Sequence, residues 1–266
     1  TEVLLRMFKY YGSECFEKLN GMFAVAIYDR TKKKVTLCRD YFGIKPLVYS
    51  FYDNRIIFSS EIRALLDIRG LKKSLDNVAI SHYLDFGYIN APCSIYEGIK
   101  RLQAGHIAEI DLSSMSMKVK AWKKTIKSSY SKIQIKEQEL EQQINWEFCS
   151  AVERWSLADV PLCYSLSGGL DSSAIAGAAS RRTRIETYSV GYRSSKFNMW
   201  NEIEIASEIS KEIQSQHNEI IIGISDVESD INRMIDIFAE PYGGGLPSYY
   251  LFKAANANGH RVIITG

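Results

Sequence analysis

The sequence carries almost no net charge: 33 Lys and Arg stand against 31 Asp and Glu over 266 residues, leaving +2. That balance supplies no electrostatic footprint for a nucleic acid or an anionic membrane surface. Long apolar runs are also missing. Stretches such as Met22–Tyr28 fall far short of the roughly 20 residues that a membrane-spanning helix needs. No signal-peptide pattern opens the sequence, so a cytoplasmic location is expected, with neither a membrane nor a nucleic acid as partner. Metal-ligand spacing is absent among the five cysteines (Cys15, Cys38, Cys93, Cys149, Cys163) and the four dispersed histidines. Reduced and mostly buried thiols are the expectation. No internal repeat is visible, and the Lys32–Lys34 run reads as a solvated hairpin turn. What remains is an ordinary globular composition, 46% apolar and 24% charged, with length enough for two modest cores.

The two halves follow different periods. Thr1–Tyr11 is apolar at helical spacing (Val3, Leu4, Met7, Phe8, Tyr11) and stops at Gly12. Short strands are then predicted at Met22–Tyr28, Val35–Arg39, Leu47–Phe51 and Ile56–Ser59. Tight turns at Asp29–Lys34, Gly43–Pro46 and the Asp53-Asn54 pair imply antiparallel pairing. Helices are expected at Glu61–Asp67 and Asn77–Phe86, and strands at His106–Asp111 and Lys118–Trp122. Lys123–Lys136 is poor in apolar residues and reads as a linker. Leu140, Ile144, Phe148, Ala151 and Trp155 make Glu137–Trp155 an amphipathic helix. Beyond it strands (Pro161–Leu166, Ile185–Tyr192, His217–Ile222, Arg261–Thr265) alternate with helices (Ser172–Arg181, Glu202–Ile213, Asp226–Phe238, Ser248–Asn258). That alternation predicts a parallel sheet flanked by helices.

The sharpest motif lies at the first strand–helix junction of that second half: Ser165-Leu166-Ser167-Gly168-Gly169-Leu170-Asp171-Ser172-Ser173. Two glycines let the backbone turn tightly and bring N–H groups close to an anion. The helix expected from about Ser172 aims its unpaired N–H groups and positive dipole end at the same place. Ser167, Ser172 and Ser173 are expected to add hydroxyl donors. Asp171 suits a Mg²⁺ carried by phosphates better than a bare anion. The competing reading is a Ser/Gly turn in which Asp171 or Ser172 merely caps the helix. The Gly-Lys-Ser/Thr ending of a Walker A loop is absent.

SGGLDSS is similar to the PP-loop, Ser-Gly-Gly-x-Asp-Ser, of ATP pyrophosphatases. Further blocks extend the resemblance over nearly the whole chain: Gly21–Tyr28 (GMFAVAIY), Arg39–Leu47 (RDYFGIKPL), Ser59–Leu65 (SSEIRAL), Tyr83–Pro92 (YLDFGYINAP), Leu102–His106 (LQAGH), Asp159–Pro161 and Val262–Gly266 (VIITG). In this order they resemble glutamine-dependent asparagine synthetase. The resemblance implies an α+β N-terminal part belonging to an Ntn-type class-II glutaminase over 1–122, a linker over 123–136, and an α/β parallel-sheet PP-loop domain, adenine nucleotide alpha hydrolase-like, over 137–266. It also implies ATP and Mg²⁺, glutamine as ammonia source and aspartate as the expected acceptor, with a homodimer as one expected assembly. The N-terminal Cys of the family, its Asn-Gly-Glu block and its later Gly-Ala-Asp-Glu segment are not in this sequence. An internal fragment of a longer polypeptide is therefore expected, with the glutaminase nucleophile outside it, no catalytic residue assigned and weak ATP binding by the piece alone. Thr1 opens a helical pattern rather than a strand, which argues against an N-terminal nucleophile.

Carried over residue by residue, the resemblance makes Ser167, Gly168, Gly169, Asp171 and Ser172 pyrophosphate ligands, with Asp171 also a Mg²⁺ ligand. It places adenine contacts on the backbone at Ser165 and Val190, and the residue pair after the last strand on Thr265 and Gly266. Ser165 stands where an apolar residue is usual. Asn201-Glu202 replaces an acidic pair and His217-Asn218 a double His. Tyr242-Gly243-Gly244-Gly245-Leu246-Pro247 replaces Asp-Pro-Ser-x-x-Pro. The last departure lies on the expected acceptor side and opens the acceptor's identity, although a flexible glycine loop is an equal reading. Relatives that close a β-lactam or peptide ring, or amidate a sugar, are the alternative. A PP-loop enzyme acting on RNA is disfavoured by the neutral charge balance, and a non-catalytic module is the third class.

Overall fold

The computed structural model describes residues 1–123, 135–193 and 201–266. Most of the expected linker, 124–134, lies outside the described residues. By internal contacts the chain forms two units, one of Thr1–Ser129 with Ile235–Gly243, the other of Tyr130–Met234 with Gly244–Gly266.

The first unit opens with helix α1 (Glu2–Tyr11), closed at Gly12, followed by a 3₁₀ segment, Gly12–Lys18, that has no strong periodic signal. Strands β1 (Ala24–Asp29), β2 (Lys34–Arg39), β6 (His106–Asp111) and β7 (Ser116–Ala121) form one antiparallel sheet in the order β1-β2-β6-β7. Its turns are built by Asp side chains. Asp29 Oδ1 accepts from the amides of Thr31 and Lys32, both at 3.0 Å, and Asp111 Oδ1 accepts from Ser113 and Ser114 at 2.9 and 3.2 Å. Strands β3 (Val48–Tyr52), β4 (Arg55–Ser59) and β5 (Lys100–Arg101) make a second antiparallel sheet, ordered β4-β3-β5. The Asp53-Asn54 pair turns β3 into β4 with φ of 49° and 54°, the left-handed pair that a two-residue hairpin needs.

Strand β2 is buried on both faces. Val35 and Leu37 join Leu47, Tyr49, Leu102, Ala108 and Ile110 between the two sheets, while Cys38 joins Cys15, Phe16, Ile27, Ile107 and Trp122 on the opposite face. Against that second cluster α1 lays Leu4, Met7 and Phe8. Val3 and Tyr11, expected in the same stripe, are exposed, so the buried stripe is narrower than the sequence pattern. Short helix α2 (Ile62–Leu66) buries Ile62 and Leu65 on the second sheet's core. Helix α3 (Asn77–Phe86) starts at Asp76, whose carboxylate accepts from the amides of Val78 and Ala79, and ends at a left-handed Gly87.

The turn carrying Arg39–Pro46 is held from inside. Asp40, almost wholly buried, accepts from the amides of Phe23, Ile44 and Lys45 at 3.3, 3.0 and 2.9 Å. The Arg39 guanidinium donates to the carbonyls of Lys45, Gly43 and Leu102 at 2.8, 2.5 and 2.8 Å. These two side chains therefore order the backbone of the turn. Ile235–Gly243 belongs here too: Glu240 accepts from the Ile95 amide, pairs with Arg101, and is followed by a Gly243 N–H donation to Gly87 at 2.9 Å. Gly243 is a close-approach residue, because a Cβ there would meet the Gly87 carbonyl at 3.1 Å.

The second unit holds helix α4 (Glu137–Trp155), strands β8 (Leu162–Ser165), β9 (Glu186–Tyr192), β10 (Gln216–Ile222) and β11 (Val262–Ile264), and helices α5 (Leu170–Ser180), α6 (Ile203–Glu212), α7 (Ile224–Phe238, its last turn from Ile235 counting with the first unit) and α8 (Gly245–Ala257). The strands are parallel, in the order β10-β9-β8-β11. Helices cover both faces. Tyr164, Leu166, Ala176, Ala179 and Ala206 pack on the side of α5 and α6, and Cys163, Tyr188, Leu251 and Ala255 on the side of α8. Helix α4 has the expected bounds, but Val152 alone of its residues is buried; Leu140, Ile144, Phe148 and Trp155 are exposed. Gly244 caps α8 and Gly245 is buried in its first turn, so this part of the glycine run is an ordered helix start rather than a loose loop.

Candidate nucleotide site

The site lies at the carboxyl ends of β8 and β9. These strands pair only through Tyr164–Thr187 and Ser165–Tyr188, after which one last bond joins the Leu166 amide to the Tyr188 carbonyl at 2.8 Å. From there β8 turns into the glycine loop while β9 runs on to Tyr192. Strand alternation points the N–H and C=O of even-numbered β9 residues toward β8, as Tyr188 shows, and those of odd-numbered residues toward β10, as the Arg193–Ile222 bond shows. Val190 therefore presents an amide and a carbonyl to the side that β8 has left. No described strand pairs with it there.

Between these walls is a cavity of about 380 Å³. Ser165, Leu166, Ser167, Gly169, Leu170, Asp171 and Ser172 line it from the loop and the first turn of α5; Tyr188, Ser189, Val190 and Tyr192 line it from β9. Glu202, Pro247, Ser248, Leu251 and Gly266 complete it. Of the nine residues proposed from sequence, seven therefore share one cavity. Gly168 forms the apex of the loop behind the lining, at φ 82°, where a Cβ would sit 3.0 Å from Ile205 of α6. Thr265 is exposed and outside the lining. Gly266 lies so close to the start of α5 that a Cβ would meet the Ser172 amide nitrogen at 2.6 Å.

Helix α5 begins at Leu170, two residues before the expected start, which puts Asp171 in its first turn. The loop hydroxyls turn inward. Ser172 is buried; its Oγ donates to the Gly169 carbonyl (3.2 Å) and accepts from the Ser167 amide (3.2 Å) and the Ser167 hydroxyl (3.0 Å). Ser173 Oγ also donates to Gly169, at 2.7 Å. The serines thus brace the loop, and the groups left facing the cavity are the unpaired backbone N–H groups at the start of α5. Among the described residues no Lys or Arg lines the cavity, whereas Asp171 and Glu202 do. Glu202 precedes α6 without capping it through its side chain.

Deeper in the unit, a phenol and a thiol are held neutral. Burial, reinforced by the hydrogen bond to Glu186, pushes the Tyr188 phenol up to about 12, and burial followed by the Glu186 charge pushes the Cys163 thiol up to about 12. In the first unit burial, then Cys15 and Asp40, raises the Cys38 thiol far beyond its usual range. These thiols lack the thiolate character of a nucleophile or a metal ligand. Among the described residues no group of three or more His, Cys, Asp or Glu could hold a metal, and no helix is long and apolar enough to cross a membrane.

An antiparallel two-sheet unit followed by a parallel sheet with an anion-suited loop makes this a two-part protein with a candidate nucleotide site in its second part. Residues 1–122 match the family model described as glutamine amidotransferase domain, and residues 143–266 match that described as asparagine synthase. The chain belongs to the glutamine-hydrolysing asparagine synthetase family. It is 30% identical over 263 residues to a putative asparagine synthetase (glutamine-hydrolysing) 2 of Methanocaldococcus jannaschii, covering 96% of this chain and 50% of the relative. It is 26% identical over 262 residues to asparagine synthetase (glutamine-hydrolysing) 1 of Bacillus subtilis, covering 96% and 40%. The chain thus spans about half the length of the curated relatives it matches. A solved glutamine-dependent NAD+ synthetase from Acinetobacter baumannii, in complex with ADP, aligns over 100% of this chain and 65% of its own at 15% identity. Its TM-score is 0.31, a value that adds nothing to the fold assignment.

The sequence did not single out Tyr188, Ser189, Ser248 or Leu251 as site residues. Nothing local marks them: each enters the cavity only because β8 ends where β9 continues and α8 returns beside it. Glu202 was visible only as half of a departure from the family's acidic pair.

Proposed function

We propose that this chain is part of an ATP-dependent amide-forming ligase of the glutamine-hydrolysing asparagine synthetase type. In this reading the first unit belongs to an Ntn-type glutaminase over 1–122, joined through 123–136 to a PP-loop domain over 137–266, adenine nucleotide alpha hydrolase-like. Such a ligase adenylates a carboxylate, aspartate being the expected acceptor, with release of AMP and pyrophosphate. Glutamine supplies the ammonia.

The observation that carries the reading is the Ser167–Ser173 loop facing the free edge of Val190 across one cavity. A flat base with a donor beside an acceptor suits the amide and carbonyl of Val190, with Ser165 at the other wall. A pyrophosphate suits the first amides of α5, with Ser167, Gly168 and Gly169 shaping the turn that presents them and Gly266, after Thr265, beside them. Because the described lining holds two carboxylates and no cationic side chain, a polyphosphate is best served by its own counter-ion. Mg²⁺ fits that requirement, with Asp171 as its protein ligand; bound there, it would neutralise charge on the leaving phosphates. The loop's part is to hold the phosphates in line for attack, and no protein nucleophile is needed. Homodimer formation and a cytoplasmic location accompany this proposal.

The test is pyrophosphate release from ATP by the natural full-length polypeptide, with glutamine and a panel of carboxylates. Stimulation by aspartate is expected; ATP turnover stimulated by another carboxylate alone would replace asparagine synthesis with a different amide closure. The Tyr242–Pro247 segment favours keeping that second reading, in which a β-lactam or peptide ring is closed or a sugar amidated. Its glycines are committed to a backbone approach at Gly243 and a helix start at Gly245, not to the acidic pattern of the family.

A further inference from the structure

Behind the cavity wall runs a chain of buried and partly buried polar side chains that the proposed reaction does not use. Ser189 lines the cavity and is almost wholly buried. Its Oγ lies 3.1 Å from His217 Nε2, and His217 Nδ1 lies 2.8 Å from Thr187 Oγ1. Thr187 Oγ1 lies 2.9 Å from Ser215 Oγ, which reaches the Ser210 carbonyl of α6 at 3.4 Å. All five residues belong to the second unit.

The far end sets the direction of every proton. A carbonyl oxygen only accepts, so Ser215 spends its hydroxyl proton on Ser210 and can only accept from Thr187. Thr187 then has no proton left for His217 and must accept from it, which places the imidazole proton on Nδ1. Burial lowers the pKa of His217, against the opposing pull of Glu219, so the ring is neutral and Nε2 is bare. Ser189 donates to that bare nitrogen. Its Oγ then keeps lone pairs alone.

From this geometry we infer that Ser189, oriented by His217, is a specificity-determining hydrogen-bond acceptor for the nucleoside part of the bound nucleotide. It would receive a neutral donor, either a ribose hydroxyl or the exocyclic amine of adenine. It would not bind a phosphate oxygen, which offers no proton. The inference rests on the nucleotide reading of the cavity. His217 acts only through Ser189 and is a positioning residue.

Two measurements on the natural full-length polypeptide test it. Long-range ¹H–¹⁵N correlation spectra of the nucleotide-free protein should show His217 as the Nδ1–H tautomer. Thr187→Val, which keeps the shape and removes the hydroxyl, should lose that single tautomer. An Nε2–H ring, or an unchanged tautomer in the Thr187→Val protein, would overturn the chain of donors whatever the cavity binds. The second measurement compares wild type with Ser189→Ala for binding of ATP, 2′-deoxy-ATP, 3′-deoxy-ATP and purine riboside triphosphate, which lacks the amine. Ser189→Ala should weaken ATP about tenfold, the effect of one hydrogen bond. The loss should vanish for the one analogue that lacks the donor, which identifies the group. Equal losses for all four would mean a merely structural serine and overturn the inference while the nucleotide reading stands. No ATP binding by the wild type would overturn the nucleotide reading itself, and this recognition with it.

Discussion

At the scale of single residues, the loop divides its labour between side chains that hold it and groups that face the cavity. Ser172→Ala removes a buried hydroxyl that accepts from the Ser167 amide and donates to Gly169. A stability loss of about 1–3 kcal/mol is expected in urea unfolding. Asp171→Asn touches no described partner in the loop, so unfolding should be unchanged, while the ATP turnover proposed for the full-length polypeptide should fall about tenfold. Gly168→Ala forces a side chain into the left-handed region and against Ile205, which should cost about 1–2 kcal/mol in backbone strain before any crowding of α6. The sequence made the loop legible because each of these roles is local. It could not tell a serine that brace-bonds from a serine that faces a ligand, since both are a hydroxyl beside a glycine.

At the scale of elements, turn chemistry was readable, while caps and burial came from the structure. Asp76 caps α3 through the Val78 and Ala79 amides at 2.9 and 3.3 Å, with Lys100 at 3.5 Å. Desolvation pushes its pKa up, but those amides and Lys100 outweigh it and hold the carboxyl below its ordinary value. A group with a depressed folded pKa stabilises above its unfolded pKa and loses that contribution as pH falls through the folded one. Asp76→Ala should therefore cost about 1 kcal/mol at neutral pH. Thermal melts of the two proteins should converge on acidification below the usual carboxylate range. By contrast, the apolar repeat of α4 predicted its length well but not its setting, because a helical period says which side is apolar and not what lies against it.

At the scale of the whole molecule, the stretch Ile235–Gly243 departs from a division made at the linker alone. It interrupts the second half in sequence, yet clusters with the first unit through Glu240, Arg101, Ile95 and Gly87. Glu240→Ala should strand the Arg101 guanidinium, itself three-quarters buried, at a cost of roughly 3 kcal/mol. Chemical denaturation followed by a probe in the first unit should register the loss. An unchanged midpoint there would show the pair to be dispensable.

Taken alone, the sequence determined the order and type of nearly every element, the antiparallel and parallel characters of the two halves, and the anion-suited loop. Each of these depends on spacing along the chain, the period of apolar residues, the turn-forming pairs and the glycines at a strand–helix junction. Only the tertiary structure decided which hydroxyls are spent inside the loop, that Val190 stands at an open strand edge, and that Ser189 backs onto His217. Those facts depend on where neighbouring strands end and what approaches from residues 20 to 100 positions away, distances at which local patterning carries no information.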